Sequence, residues 1–253
     1  MVDYELIGRV AVLTLNRPEA RNAINAEVAN AMEASLDRLE ADDEVFAAIV
    51  TGAGPVFCAG ADLKAIAAGD AAGLSTARGG FAGLVTRERT KPLIAAVDGP
   101  ALAGGTEIVL ACDLVVASSR ATFGIPEVKR SLVAAAGGLF RLPRALPPAI
   151  AMEAALTGDP ISAERAAHFG MVNQLVEPGS AKQAALELAE RITVNAPLAV
   201  RASRNVILAS LSSNDEALWR LTSQQMGKVV ASEDFKEGPR AFIEKRAPQW
   251  KGR

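Results

Sequence analysis

Two glutamates lie in unusually apolar stretches of the chain. Glu107 follows Gly104-Gly105-Thr106 and precedes Ile108-Val109-Leu110-Ala111, and Glu127 is enclosed by Phe123-Gly124-Ile125-Pro126 and Val128. A carboxylate drawn into apolar surroundings loses hydration, so such a placement asks for a physical reason. Two carboxyls of this kind, 20 positions apart, form a candidate acid–base pair whose pKa values burial would raise above the ordinary value of about 4.3. The plainer alternatives are a Glu107 that complements a helix dipole and a Glu127 that pairs with Lys129 or Arg130 at the surface.

Two glycine-containing turns accompany the glutamates. Phe57-Cys58-Ala59-Gly60-Ala61-Asp62-Leu63-Lys64 follows a strand-like run, and Asp98-Gly99-Pro100-Ala101-Leu102-Ala103-Gly104-Gly105-Thr106-Glu107 joins a strand to a helix. Glycines at such a junction let the backbone approach a ligand and leave free N–H groups at the positive end of the helix. Those groups could hold a carbonyl oxygen that gains negative charge. Two ordinary tight turns are the competing reading.

Other machinery is missing. His168 is the only histidine, in the helix-end context Ala166-Ala167-His168-Phe169-Gly170, so a Ser-His-Asp triad and a multi-histidine metal site are excluded. No Walker loop and no Gly-x-Gly-x-x-Gly after a strand is present. Cys58 and Cys112 lack metal-ligand spacing and read as buried thiols. A net charge of −2, from 27 basic and 29 acidic residues, gives no reason to expect nucleic acid or an anionic membrane. No run of about 20 apolar residues occurs, and the first residues hold Asp3, Glu5 and Arg9 in place of a basic and then apolar leader, so a cytoplasmic location is expected.

The elements that must position these residues follow from the pattern. Hydrophobic residues make up 50% of the chain and aromatics 4%, so a large core is built from Ala, Val, Leu and Ile. Residues 10–15, 46–50, 92–97 and 114–117 read as strands. Val28, Met32, Leu36 and Leu39 recur at helical spacing, and a helix is expected from about Gly104 to Cys112. Residues 66–83 are rich in Ala and Gly and read as a mobile loop with a short helix. Alternating strands and helices imply an α/β fold with parallel pairing. After about residue 195 the strand signal stops, and 197–208, 214–230 and 233–244 read as helices, which divides the chain into an α/β core, 1–195, and a helical region, 196–253.

The ordered set of motifs resembles the enoyl-CoA hydratase/isomerase (crotonase) family. It runs through Asn16-Arg17-Pro18, Asn22-Ala23, Ala59-Gly60-Ala61-Asp62-Leu63, Gly104-Gly105-x-Glu107, Ala111-Cys112-Asp113-Leu114 and Phe123-Gly124-Ile125-Pro126-Glu127. It continues through Gly137-Gly138, Arg141-Leu142-Pro143, Leu156-Thr157-Gly158, Gly170-Met171-Val172-Asn173 and Ala241-Phe242-Ile243-Glu244-Lys245-Arg246. Each motif is weak alone, but their order covers nearly the whole chain. The interval of 43 positions from Ala61 to Gly104 and that of 20 from Glu107 to Glu127 also resemble those of members that hydrate enoyl-CoA.

The resemblance implies a spiral of ββα units with a C-terminal helical oligomerisation region, and an acyl-CoA thioester as substrate with no separate cofactor. The N–H groups of Ala61 and Gly104 would form an oxyanion hole for the thioester. Glu127 would give a proton to Cα, and Glu107 would polarise the water that adds to Cβ. Ala59, Ala61, Asp62, Leu63 and Lys64 would lie along the CoA, Arg21 near a phosphate, and Phe242 and Lys245 against the CoA of a neighbouring subunit in a trimer or a pair of trimers. Isomerases of the family keep the acid matching Glu127 and usually lack the other, so the pair favours hydration. Two departures stand out: Ala103 replaces the first glycine of a Gly-Gly-Gly, and Leu139-Phe140 replaces Thr-Gln. Residues 142–150 are similar to those of carnitinyl-CoA dehydratase-like members, which keeps dehydration and isomerisation as alternative reactions. A non-catalytic acyl-CoA-binding protein is a further alternative. Phe81, Leu84 and Phe140 are candidates for the acyl pocket and equally for the core.

Overall fold

A computed structural model describes residues 1–253. In chain order the elements are β1 (Val2–Ile7), β2 (Val10–Leu15), α1 (Ala26–Ala41), β3 (Ala47–Gly52), α2 (Leu63–Ala67), β4 (Ser75–Thr76), β5 (Gly80–Phe81), β6 (Leu93–Val97), β7 (Ala101–Leu102), α3 (Gly104–Leu110), β8 (Leu114–Ser118) and β9 (Thr122–Gly124). They continue as α4 (Gly138–Ala145), α5 (Pro148–Thr157), β10 (Ile161–Ser162), α6 (Ala163–His168), β11 (Gln174–Val176), α7 (Ala181–Thr193), α8 (Pro197–Ala209), α9 (Asp215–Val230) and α10 (Glu233–Glu244).

The main sheet runs β1-β2-β3-β6-β8-β11, and a small sheet runs β10-β9-β7. All neighbours in the main sheet are parallel except β1 and β2, an antiparallel pair. The expected parallel pairing therefore holds for the interior strands, while β1, which is not among the expected strands, closes one edge. Strands buried on both faces read as continuous apolar runs. Leu13, Val50 and Ala95 point to one side, towards α1 and α3, and Val12, Ile49 and Ile94 to the other, against Ala184, Ala185 and Ala189 of α7. Alanines on that helix let it lie close to the sheet.

The unit that positions the site is a strand of the main sheet, a short strand of the small sheet, then a helix: β6-β7-α3 is one such unit, and β8-β9 leading to α4 is another. The pairs Ala101↔Phe123 and Leu102↔Gly124 lock these two units together. A lone bridge, Cys58↔Ala101, brings in the segment after β3.

Residues 66–83 hold the expected short helix, a 3-10 turn at Ala72–Leu74, but depart from the expected loop after it. They contain the hairpin β4-β5, held to α1 by Arg78, which bonds Glu33 at 3.0 Å and Asp37 at 2.6 and 3.1 Å. The long-range ion pairs could not be read from local composition. The tail forms three helices within two residues of the expected ranges. It exposes large side chains, including Trp219 at 73% and Phe242 at 86%.

Candidate active site

A cleft of about 1130 Å³ opens at the ends of the two ββα units. Arg21, Ala59, Ala61, Asp62, Leu63, Lys64, Gly104, Glu107 and Glu127 all line it. Phe242 and Lys245 do not; they sit at the end of α10, away from the cleft of their own chain.

The two turns meet at its floor. A Cβ placed on Gly60 would lie 2.8 Å from Ala103 Cβ and 3.0 Å from Gly104 N, and Gly60 has φ +92°. Only glycine allows both that conformation and that approach. The bridge between Ile24 and Ala61 uses the Gly60 carbonyl and the Asp62 N–H. The N–H of Ala61 itself therefore faces away from Ile24 and has no backbone partner. Gly104 opens α3, where the first N–H groups lack intrahelical acceptors, and its N–H is likewise unpaired with the backbone. The ring of Phe81 covers this point so closely that a Cβ on Gly104 would meet it at 2.4 Å. Asp62 stabilises the Ala61 turn by capping α2 through the Lys64 N–H at 3.0 Å and by pairing with Arg17 at 3.2 Å.

Ala103, the departure from the triple glycine, has φ +52° and ψ −127°. An L-residue there carries strain of about 1–3 kcal/mol, which the surrounding structure must offset. Part of that support is visible: the Ala103 N–H donates to Gly124 O at 2.8 Å. Thr106 Oγ1 lies 2.7 Å from Ala101 O and accepts from the Gly124 N–H at 2.9 Å.

Glu107 stands one helical turn into α3 and is 3% exposed. Its Oε1 accepts from the Gly138 N–H at 2.9 Å. Burial pushes its carboxyl above the usual carboxylate range, against the pull of the Gly138 and Ala136 N–H groups and of Arg141. Glu127 belongs to a 3-10 turn, Pro126–Arg130, that Pro126 starts directly after β9. Its Oε2 is buried without a hydrogen-bond partner. Burial raises its pKa too, with a further push from the charge of Glu107. The surface pairing envisaged for Glu127 is not formed; Lys129 bonds Asp159 at 2.6 Å instead. Two carboxyls with raised pKa values beside two free backbone donors can move protons next to a carbonyl whose oxygen is held.

Three contributors were not singled out from the sequence. Gly138 and Arg141 sit in recognised motifs, but only the fold brings Gly138 against Glu107 and Arg141 onto the Ala136 and Val85 carbonyls. Asn22, also within a motif, is buried and ties the loop before α1 to the one after β3 through Ala53 O at 2.9 Å and Val56 O at 2.7 Å. A second cavity of about 970 Å³, between α8 and the core, contains neither glutamate but shares Val85, Thr86, Phe140 and Arg141 with the cleft. Of the three acyl-pocket candidates, Phe81 and Phe140 line the cleft, while Leu84 is fully buried and lines only the second cavity.

Comparison with known proteins finds matches along nearly the whole chain. The model of the family Enoyl-CoA hydratase/isomerase matches residues 6–253. An enoyl-CoA hydratase of Mycobacterium tuberculosis is 43% identical, with 97% of this chain and 94% of that protein covered. A carnitinyl-CoA dehydratase of Salmonella typhi is also 43% identical, over 97% of this chain and 96% of its own. The crystal structure of an enoyl-CoA hydratase from Mycobacterium tuberculosis H37Rv superposes with a TM-score of 0.96 at 49% identity, covering 100% of this chain and 99% of that one. Motif order and the α/β fold thus coincide with a match along the whole sequence, and the chain belongs to the enoyl-CoA hydratase/isomerase family.

Proposed function

We propose that this protein is an enoyl-CoA hydratase that adds water across the 2,3 double bond of a trans-2-enoyl-CoA to give a 3-hydroxyacyl-CoA. The observation that carries the reading is the pair of carboxyls in one cleft, one pinned by a backbone N–H and one with a bare buried oxygen. The thioester oxygen sits between the Ala61 and Gly104 N–H groups, which stabilise the charge that develops as the enolate forms. One such donor contributes roughly 3 kcal/mol. Glu107, ionised, accepts a proton from the water whose oxygen bonds to Cβ. Glu127, protonated, delivers its proton to Cα. The sum is one water added with no change of oxidation state, so no cofactor beyond the CoA of the substrate is required.

Arg21 and Lys64 at the cleft rim suit the CoA phosphates, while Ala59, Ala61, Asp62 and Leu63 supply a backbone path along it. Phe242 and Lys245 lie outside their own cleft and Phe242 is exposed, which supports a role against the CoA of a neighbouring subunit in a trimer or a pair of trimers that covers the tail.

A carnitinyl-CoA dehydratase activity is the second reading, favoured by the relative of that name at 43% identity and by the similarity of residues 142–150. Turnover of trans-2-enoyl-CoA thioesters of increasing chain length separates the two. Loss of the conjugated absorbance with 3-hydroxyacyl-CoA as product is expected. No loss at any length, with turnover of crotonobetainyl-CoA, would transfer the assignment to the second reading.

A further inference from the structure

Arg141 lies between the two cavities and has no role in the reading above. Its guanidinium is half-buried, and both its hydrogen bonds go to main-chain carbonyls on different loops. Nη1 donates to Ala136 O at 3.3 Å and Nη2 to Val85 O at 2.6 Å. Ala136 is two residues before Gly138, whose N–H holds Glu107. Val85 closes the turn that begins at Phe81, through its N–H to Phe81 O at 3.3 Å, and the Phe81 ring covers Gly104. One side chain therefore spans the loop that pins the carboxylate and the loop that covers the oxyanion donor.

We propose that Arg141 is a positioning residue that fixes Glu107 and the Gly104 N–H relative to each other by bracing the 136–138 and 81–85 loops.

The choice of arginine follows from this geometry. Two carbonyls on separate loops need a planar fork with donors at fixed angles, which lysine lacks. Burying a guanidinium without a carboxylate partner is costly. Burial weighs most against the Arg141 cation, the charge of Glu107 favours it, and the neighbouring Arg144 and Arg89 oppose it. On the other side, Glu107 faces Glu127, with Arg130 beyond. Removing the Arg141 charge takes away a group that favours the Glu107 anion, so the carboxyl becomes harder to ionise.

The test uses the full chain carrying Arg141→Met or Arg141→Lys, each alone and combined with Glu107→Gln. Arg141→Met is expected to lower kcat by about 10-fold or more with KM changed by less than about 3-fold, the pattern of a group that acts on the transition state rather than on substrate binding. In the Glu107→Gln background the same substitution should cost clearly less, because residues acting as a unit are not additive. The Glu107 carboxyl, followed by infrared or ¹³C NMR and assigned by its loss in Glu107→Gln, should titrate at higher pH in Arg141→Met and at an unchanged pH in Arg141→Lys. Equal losses in both backgrounds, or an unmoved Glu107 titration in Arg141→Met, would overturn the proposal. If Arg141→Met does not fold, Arg141→Lys decides: wild-type kcat there overturns the brace, and a lowered kcat with unchanged titration supports it. The proposal rests on the hydratase reading for its kinetic arm, whereas the titration needs no turnover, so failure of one is distinguishable from failure of the other.

Discussion

The two walls of the cleft carry the same side chain in different settings. On one wall Glu107 projects from a helix, almost wholly buried, with one oxygen fixed by the Gly138 N–H. On the other wall Glu127 projects from a 3-10 turn that begins at a proline, half-buried, with one oxygen in apolar surroundings and no partner. A carboxyl held by a hydrogen bond keeps its direction and can orient a water. A carboxyl with a bare buried oxygen is harder to ionise and is ready to give up a proton to a reacting atom. In the reading proposed above, the distinct duties of two chemically identical groups come from the elements that hold them.

The sharpest test of this contrast is Glu127→Gln, which removes the transferable proton and keeps the shape. Turnover should fall by roughly 10³-fold, within the usual range for a general acid, with the circular dichroism spectrum unchanged. Near-normal turnover would erase the contrast. Glu107→Gln should lower turnover by about 10²-fold or more and should also change stability in a pH-dependent way. The folded-state pKa of Glu107 lies above its unfolded value, so the carboxyl contributes stability that is present in acid and lost as pH rises through the folded value. The glutamine variant should therefore melt higher than wild type near pH 8, by a few degrees, about what 1 kcal/mol does in a chain of this length. The gain should vanish towards pH 4, and a gain that persists unchanged to pH 4 would show that ionisation is not its cause. The smallest effect is expected from Gly138→Ala, whose Cβ would meet Glu107 Oε1 at 3.1 Å. The contact is tight but the side chain can give, so turnover should drop several-fold while Glu127-dependent steps are untouched. A loss as large as that of Glu107→Gln would mean the pin has no slack.

What was legible in the sequence divides along physical lines. The interior strands and the tail helices announce themselves because apolar runs and helical spacing are local properties, as in Ala47–Gly52 and Pro197–Ala209. The apolar setting of Glu107 and Glu127 and the glycines near them were readable for the same reason. Strand β1 carries a readable signal that the sequence reading does not use: Val2-Asp3-Tyr4-Glu5-Leu6 alternates apolar and polar residues, as a strand with one face covered does. The hairpin at Ser75–Phe81 was missed because its support comes from Glu33 and Asp37, some 40 positions away. Arg141 and Gly138 were visible as motif letters, yet their contacts with Val85 and Glu107 exist only once distant loops meet.

The free N–H groups of Ala61 and Gly104 have one more consequence, for mutational history. Every residue except proline carries a main-chain N–H, so almost no single codon change deletes either donor. Change is confined to what crowds them, such as the ring of Phe81 over Gly104, and to the acids and apolar groups that line the cleft. If these donors hold the thioester oxygen as proposed, a lineage built on this frame keeps that grip while the side chains around it change. Each new combination is then tried on a substrate already poised to react.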